Sequence, residues 1–288
     1  MVKLKKRSQF VTRLMNSKFF VIGIILCMFI IIISVIAPFI IVHDAKIPEL
    51  SNSLNRPEYF SKGWSGNIFG ADNLGRDVLT RLLIGSRYSF IISVSTVFFA
   101  LLLGVSLGLI SGYYGGWVDN IVMRFADTQL SIPQLLLAIA IVSVLGPSIV
   151  NLIIVLTITT WPHIARLIRS SVLVIREMEF ISASKVLGAN DTWIMFSQIL
   201  PNVMTPLLIL SSQRIGFIIL IEAALSFLGL GVQPPTPSWG VMIADGRDYI
   251  STAPWVVLAP GIALMITVLA FNFLGDGLRD ALDPKMKT

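Results

Sequence analysis

Long apolar stretches alternate along the chain with short polar breaks. Six of them approach the roughly 20 residues that an α-helix needs to cross a bilayer. They are Phe19–Val42, Ser89–Ser111, Arg124–Leu145, Ile149–Ala165, Val203–Leu228 and Trp255–Leu274. The third is the weakest, because Asp127, Gln129, Pro133 and Gln134 interrupt it. The pattern predicts an all-α integral membrane protein with six transmembrane helices. Its divisions are a basic N-terminus over 1–18, a first span over 19–42, a polar loop over 43–88, a transmembrane domain over 89–285 and a tail over 286–288. The polar loop is long enough for a short interfacial helix.

Composition agrees with the pattern. Of the 288 residues 55% are hydrophobic and 13% charged, about half the charge of a soluble domain. Mean hydropathy is +0.82. The net charge of +6 is a topology signal and does not point to nucleic acid. Lys3, Lys5, Lys6, Arg7, Arg13 and Lys18 crowd together just before the first apolar run. Loops on the cytoplasmic side are enriched in Lys and Arg. An N-in, C-in arrangement puts fourteen basic residues inside and seven outside, with Arg214 within a span. The first run is too long for the apolar region of a signal peptide, so an uncleaved span is expected.

Catalytic signatures are sparse. The chain has no G-x-x-x-x-G-K-[ST] phosphate loop and no H-E-x-x-H. Its two histidines, His43 and His163, lie far apart, and its single cysteine, Cys27, falls inside the first span. His163 is expected near an inner helix end. A stable metal site takes three or four ligands, so no metal, bound cofactor or enzymatic role is expected of this chain. Other features do stand out. Gly104, Gly108 and Gly112 recur every four residues in the second span. They allow close approach of a helix, either within the chain or from another subunit. Arg214 and Glu222 are charges inside the fifth span. Such charges line a translocation path or pair with a structural partner.

Residues 166–202, between the fourth and fifth spans, form a segment longer than a connector needs. Ser182, Ala183 and Ser184 are small and suit close approach by a partner surface. Gly188 fits the residue that follows a helix C-terminus. Asn190 or Asp191 can cap a second short helix carrying Trp193, Ile194, Phe196 and Ile199. Pro201 then fits the first turn of the fifth span. The segment reads as helix, glycine turn, helix and span. It is either a projection toward the cytoplasm or an interfacial connector.

This segment resembles the "EAA" loop of ABC importer permeases through Ser182-Ala183-Ser184, Gly188 and Leu200-Pro201. The family's glutamate is replaced here by Ser182. The stretches "FGADNLGRDVLTRLLIGSRYS", "GYYGGWVDNIVMRFAD" and "EAALSFLGLGVQPPTPSWGVMIADGRDYISTAPW" are similar to the C-type subunit of the dipeptide/oligopeptide/nickel permease family. So is the tail "LAFNFLGDGLRDALDPK". The resemblance implies a type I importer fold in a prokaryotic cell membrane. It also implies a second, different permease chain, two ATPase subunits that bind ATP and Mg, and an extracytoplasmic binding protein. In that picture a coupling helix around Glu179, Ser182, Ala183, Ser184, Gly188, Ala189, Asn190 and Asp191, followed by Pro201, docks on an ATPase subunit. Its ATP cycle switches the spans between inward-open and outward-open states. The cargo is a di- or oligopeptide, nickel or a metal-chelate. A secondary transporter or channel that needs no ATPase is the alternative reading.

Overall fold

The computed structural model describes residues 14–15, 17–40, 44–58 and 67–282. Among these the regular elements are all helices, with one isolated bridge between Ala71 and Asp77. The helices are α1 (Lys18–Ile40), α2 (Val78–Tyr114), α3 (Gly116–Leu130), α4 (Gln134–Leu145), α5 (Ile149–Ile175), α6 (Glu179–Val186), α7 (Asp191–Phe227), α8 (Trp239–Gly246) and α9 (Trp255–Leu282). Five are long and apolar enough to cross a membrane, or six if the bent pair α3–α4 counts as one span. The basic N-terminus, His43 and the tail expected over 286–288 lie outside the described residues.

Three elements differ from the sequence pattern, each for a local physical reason. The second span begins earlier, at Val78, because Asp77 accepts a hydrogen bond from the Thr80 amide (2.7 Å) and caps the helix there. The third breaks at Ser131–Pro133, and its halves meet at 93°. Pro133 has no N–H to continue the ladder and disfavours helical geometry at Ile132. The short helix expected before the fifth span is instead continuous with it as α7, through a π-helical turn at Ile194–Ile199. There the Leu200 amide reaches the Met195 carbonyl, one residue farther than usual, just before Pro201. Of the interfacial helix expected in the first polar loop, the described part holds only a 3-10 turn at Leu50–Asn52.

Three helix pairings organise the bundle. α2 lies along α5, and α9 lies between α1 and α7. Leu109, Ile168, Ile181, Ile194 and Val203 form a core at the end where α5 and α6 meet. Cys27, Val78, Trp239, Val256 and Phe271 form another at the opposite end. Between them Ile92, Val142, Leu156, Ile218 and Leu225 join α2, α4, α5 and α7. Outward faces stay apolar: Phe29, Phe39, Phe98 and Leu102 are exposed, as a lipid-facing surface requires.

The segment before α2 is held by buried charge. Asp72 accepts from Arg76 Nε (2.7 Å) and from the Arg81 guanidinium. Asp245 on α8 accepts from both arginines at 3.1 Å. Two acids face two bases, so Asp72, Arg76 and Arg81, whose charges would be costly if buried alone, are balanced as a set with the partly exposed Asp245.

Candidate functional site

Two parts of the molecule have the form of a working site. One is the turn between α5 and α7, and the other is a polar cleft beside Arg214.

At the turn, α6 begins at Glu179 and ends in a Schellman motif. The Ala189 amide reaches the Ser184 carbonyl and the Gly188 amide reaches the Lys185 carbonyl, both at 3.0 Å. Gly188 has φ +80° and would meet nothing within 4 Å if it carried a Cβ. The glycine is there for its backbone conformation and not for space. Asn190 then caps α7 by accepting from the Thr192 amide (3.0 Å). Ser182 and Ala183 are exposed, whereas Ser184 accepts a bond from Gln198 Nε2 (2.6 Å) across the turn. Pro201 sits in the first turn after the π segment.

The projection is braced from below. Tyr113, at the end of α2, donates its hydroxyl to Asp191 (2.5 Å) and carries Lys185 over its ring at 4.9 Å. Asp119 on α3 receives Arg169 on α5 through both carboxylate oxygens, and Arg176 donates to the Gly112 carbonyl (2.8 Å). Only Ile181 of α6 is buried. Val186 and Leu187 at its tip are 87% and 86% exposed. A rigidly held apolar tip with almost no contacts of its own is suited to insertion into a partner.

The glycine stripe points inward. A Cβ on Gly104 would lie 2.6 Å from Ile164 Cβ, one on Gly108 2.6 Å from the Ala165 carbonyl oxygen, and one on Gly112 2.8 Å from Val172 Cβ. All three positions are spent on the contact of α2 with α5. The letters Gly104-Val-Ser-Leu-Gly108 also spell the G-x-S-x-G of a hydrolase nucleophile elbow. That motif needs a strand-to-helix turn, but here it lies mid-helix, and Ser106 donates to the Leu102 carbonyl (2.7 Å).

Arg214 and Glu222 occupy different surroundings. Glu222 is fully buried where α2, α7 and α8 meet. It accepts from Ser89 (2.9 Å) and Ser226 (2.8 Å), and Ser226 in turn accepts from the Val232 amide (3.1 Å). The carboxylate ties α7 to α2, Ser226 extends the network to the Val232 backbone, and Glu222 does not line the cleft. We expect Glu222→Gln to stay within about 1 kcal/mol of the parent, since a carboxamide can still bond both hydroxyls. Glu222→Leu strands those hydroxyls and is expected to cost about 2–3 kcal/mol. Thermal unfolding of the purified protein measures both, and a fully stable Leu variant would contradict this bracing role.

Arg214 lines a cavity of about 550 Å³ together with Gln129, Gln134, Thr159, His163 and Asn272. Its guanidinium lies over the Phe217 ring, 5.5 Å from the centroid. A second cavity of about 740 Å³ shares His163, Leu210, Gln213 and Arg214 and leads to Arg166, Ser170 and Arg279. His163 is therefore well inside α5, on the cleft wall, and not at a helix end. The signal for this cleft is the polar residues that weaken the third span. Gln129 bonds the Ile158 carbonyl (2.7 Å) and Gln134 bonds Thr159 and Thr160. These bonds fix the broken helix against α5 at the edge of the opening.

Comparisons with known proteins place this geometry. Residues 104–288 match the family described as binding-protein-dependent transport system inner membrane component. The chain is 44% identical to the dipeptide transport system permease protein DppC of Alkalihalophilus pseudofirmus, over 96% of this chain and 89% of that protein. It is 42% identical to the di/tripeptide transport system permease protein DppC of Pseudomonas aeruginosa, over 92% and 88%. With the glutathione transport system permease protein GsiD of Pectobacterium atrosepticum it shares 44% identity over 78% and 74%. Among solved structures, an inward-facing form of the MetNI methionine ABC transporter has the same fold. Its TM-score is 0.58 at 20% identity, covering 71% of this chain and 98% of that chain.

Proposed function

Since the chain belongs to the binding-protein-dependent transport system inner membrane component family, we propose that it is the permease subunit of an ATP-driven importer of small peptides. The observation that carries the substrate class is identity above 40% across nearly the whole chain to permeases named for dipeptides and di/tripeptides. Nickel and metal-chelates, the other cargoes the sequence allows, receive no such support.

In this reading both termini face the cytoplasm, as the distribution of Lys and Arg favours. The turn at Gly188 then projects into the cytoplasm, and the loop holding α8 faces outward. α6 acts as the coupling helix and seats its Val186–Leu187 tip in a groove on an ATPase subunit. ATP and Mg bind to those subunits, and hydrolysis is their chemistry. Closure of the ATPase pair carries α6 with it. Because Tyr113 on α2 holds Asp191 at the start of α7 and carries Lys185 of α6 over its ring, and Gln198 on α7 bonds Ser184 of α6, the movement passes to the spans instead of being lost in a loose loop. A second, different permease completes the pathway against the cleft. An extracytoplasmic binding protein delivers the peptide to the outward loops.

The test is affinity purification of this chain from its native membrane, followed by peptide uptake in proteoliposomes. We expect a second permease and ATPase subunits to come with it, and uptake to need ATP and the binding protein. A stable assembly without ATPase subunits, moving substrate down an ion gradient, would instead establish a secondary transporter.

A further inference from the structure

We propose that Arg214 is a binding site for the substrate's free carboxylate, set at the junction of the two cavities so that peptide is held by its C-terminus during passage. This rests on the peptide-importer reading above.

Arg214 has unspent hydrogen-bonding capacity. A guanidinium has five N–H donors in a fixed fork suited to a carboxylate. Among the described residues, no carboxylate lies within ion-pair distance of Arg214, and none of its donors has an acceptor. Three of its polar neighbours make bonds elsewhere, although Gln134 Oε1 is buried without a partner among the described residues. Gln129 and Gln134 bond α5, and Gln213 donates to Asp276 (3.3 Å). The Arg214 guanidinium lies over the Phe217 ring, 5.5 Å from the centroid, a contact that uses none of its N–H donors. The space beside it is about 550 Å³, within the range of about 300–1,000 Å³ typical of small-molecule sites.

The charge along the cleft has the same sign. Arg166 and Arg279 line the continuation beyond Arg214. Arg166 is paired with Asp127 (2.5 Å). Arg279 has no ion-pair partner among the described residues. Asp276 stands at the margin of the cleft and does not line either cavity. An anion leaving Arg214 therefore meets further positive charge, which favours movement in steps over permanent capture. A carboxylate from the second permease could also satisfy Arg214. Retention of the second permease by the Arg214 variants separates that partner from substrate.

The test uses the whole importer in nanodiscs without nucleotide or binding protein. Cys27 is the chain's single cysteine, so a Cys27→Ala, Gln213→Cys chain carries one reporter thiol on the wall shared by both cavities. The rate of maleimide labelling is followed against L-alanyl-L-alanine and against its C-terminal amide. We expect the free acid to protect the thiol and the amide to need at least about tenfold more for equal protection. Arg214→Gln should raise the protecting concentration of the acid at least about tenfold and remove the difference between acid and amide. Arg214→Lys should restore part of it.

Equal protection by acid and amide in the parent, or no protection by either, overturns the proposal without any substitution at 214. Unchanged protection in Arg214→Gln overturns it as well. Loss of the second permease from Arg214→Gln, with retention in Arg214→Lys, assigns the carboxylate to that partner and also overturns it. Peptide uptake by the parent assembly is scored separately. Uptake without discrimination at Arg214 defeats this inference alone, whereas absence of peptide uptake defeats the functional reading beneath it.

Discussion

Gly108→Leu is expected to prevent stable folding, with a loss of at least about 3 kcal/mol. A Cβ at this position would lie 2.6 Å from the Ala165 carbonyl oxygen, 2.8 Å from Ile168 Cβ and 3.1 Å from Ala165 Cα. Two of these are backbone atoms, so no rotamer change relieves the clash. The helices have to separate. Overpacking of a core typically costs about 1–3 kcal/mol even where side chains can shift, and this contact belongs to the principal pairing of the bundle. Without aqueous surface to hide, association of spans depends on such close packing. Gly261→Ala serves as the control, because nothing lies within 4 Å of a Cβ there. In a helix interior that change is neutral or stabilising by up to about 1 kcal/mol. Thermal unfolding in detergent checks both variants. A Gly108→Leu protein as stable as the parent would mean that α2 and α5 do not meet along this stripe.

That stripe was legible in the sequence because a four-residue glycine period is a local signal, although its partner helix was not. The long apolar runs and the turn at Gly188 were legible for the same reason: span length, helix capping and a positive φ are set by neighbouring residues. What escaped was set by contacts distant in sequence. Arg81 reads as a loop residue until Asp72 and Asp245, the latter 164 residues away, are seen to neutralise it inside α2. Glu222 reads equally as a pathway charge or a structural one until Ser89, 133 residues away, is found bonded to it. The cleft combines side chains of α3, α4, α5, α7 and α9. No single stretch announces it, and only the polar residues of the weak third span hinted at it.

The same contrast between local shape and distant partner governs the second large effect. Val186→Asp combined with Leu187→Asp is expected to leave the chain folded in the membrane and to abolish uptake. Both side chains are almost fully exposed, so the fold should change by no more than about 0.5 kcal/mol for each. In the proposed complex they enter an ATPase groove. Two carboxylates placed there lose their hydration and gain no designated partner, which costs several kcal/mol. A loss of about 3 kcal/mol already weakens docking more than a hundredfold. The effect should be strong here because Ser182 stands where the family pattern has a glutamate, so docking rests on shape and apolar contact. Co-purification of the ATPase subunits, thermal unfolding of the chain and ATP-driven uptake are read together. Lost ATPase subunits with an unchanged unfolding temperature identify α6 as the coupling element. If the double variant keeps its ATPase subunits and its uptake, the exposed tip lies against lipid, and the coupling surface must be sought elsewhere on the 166–202 segment.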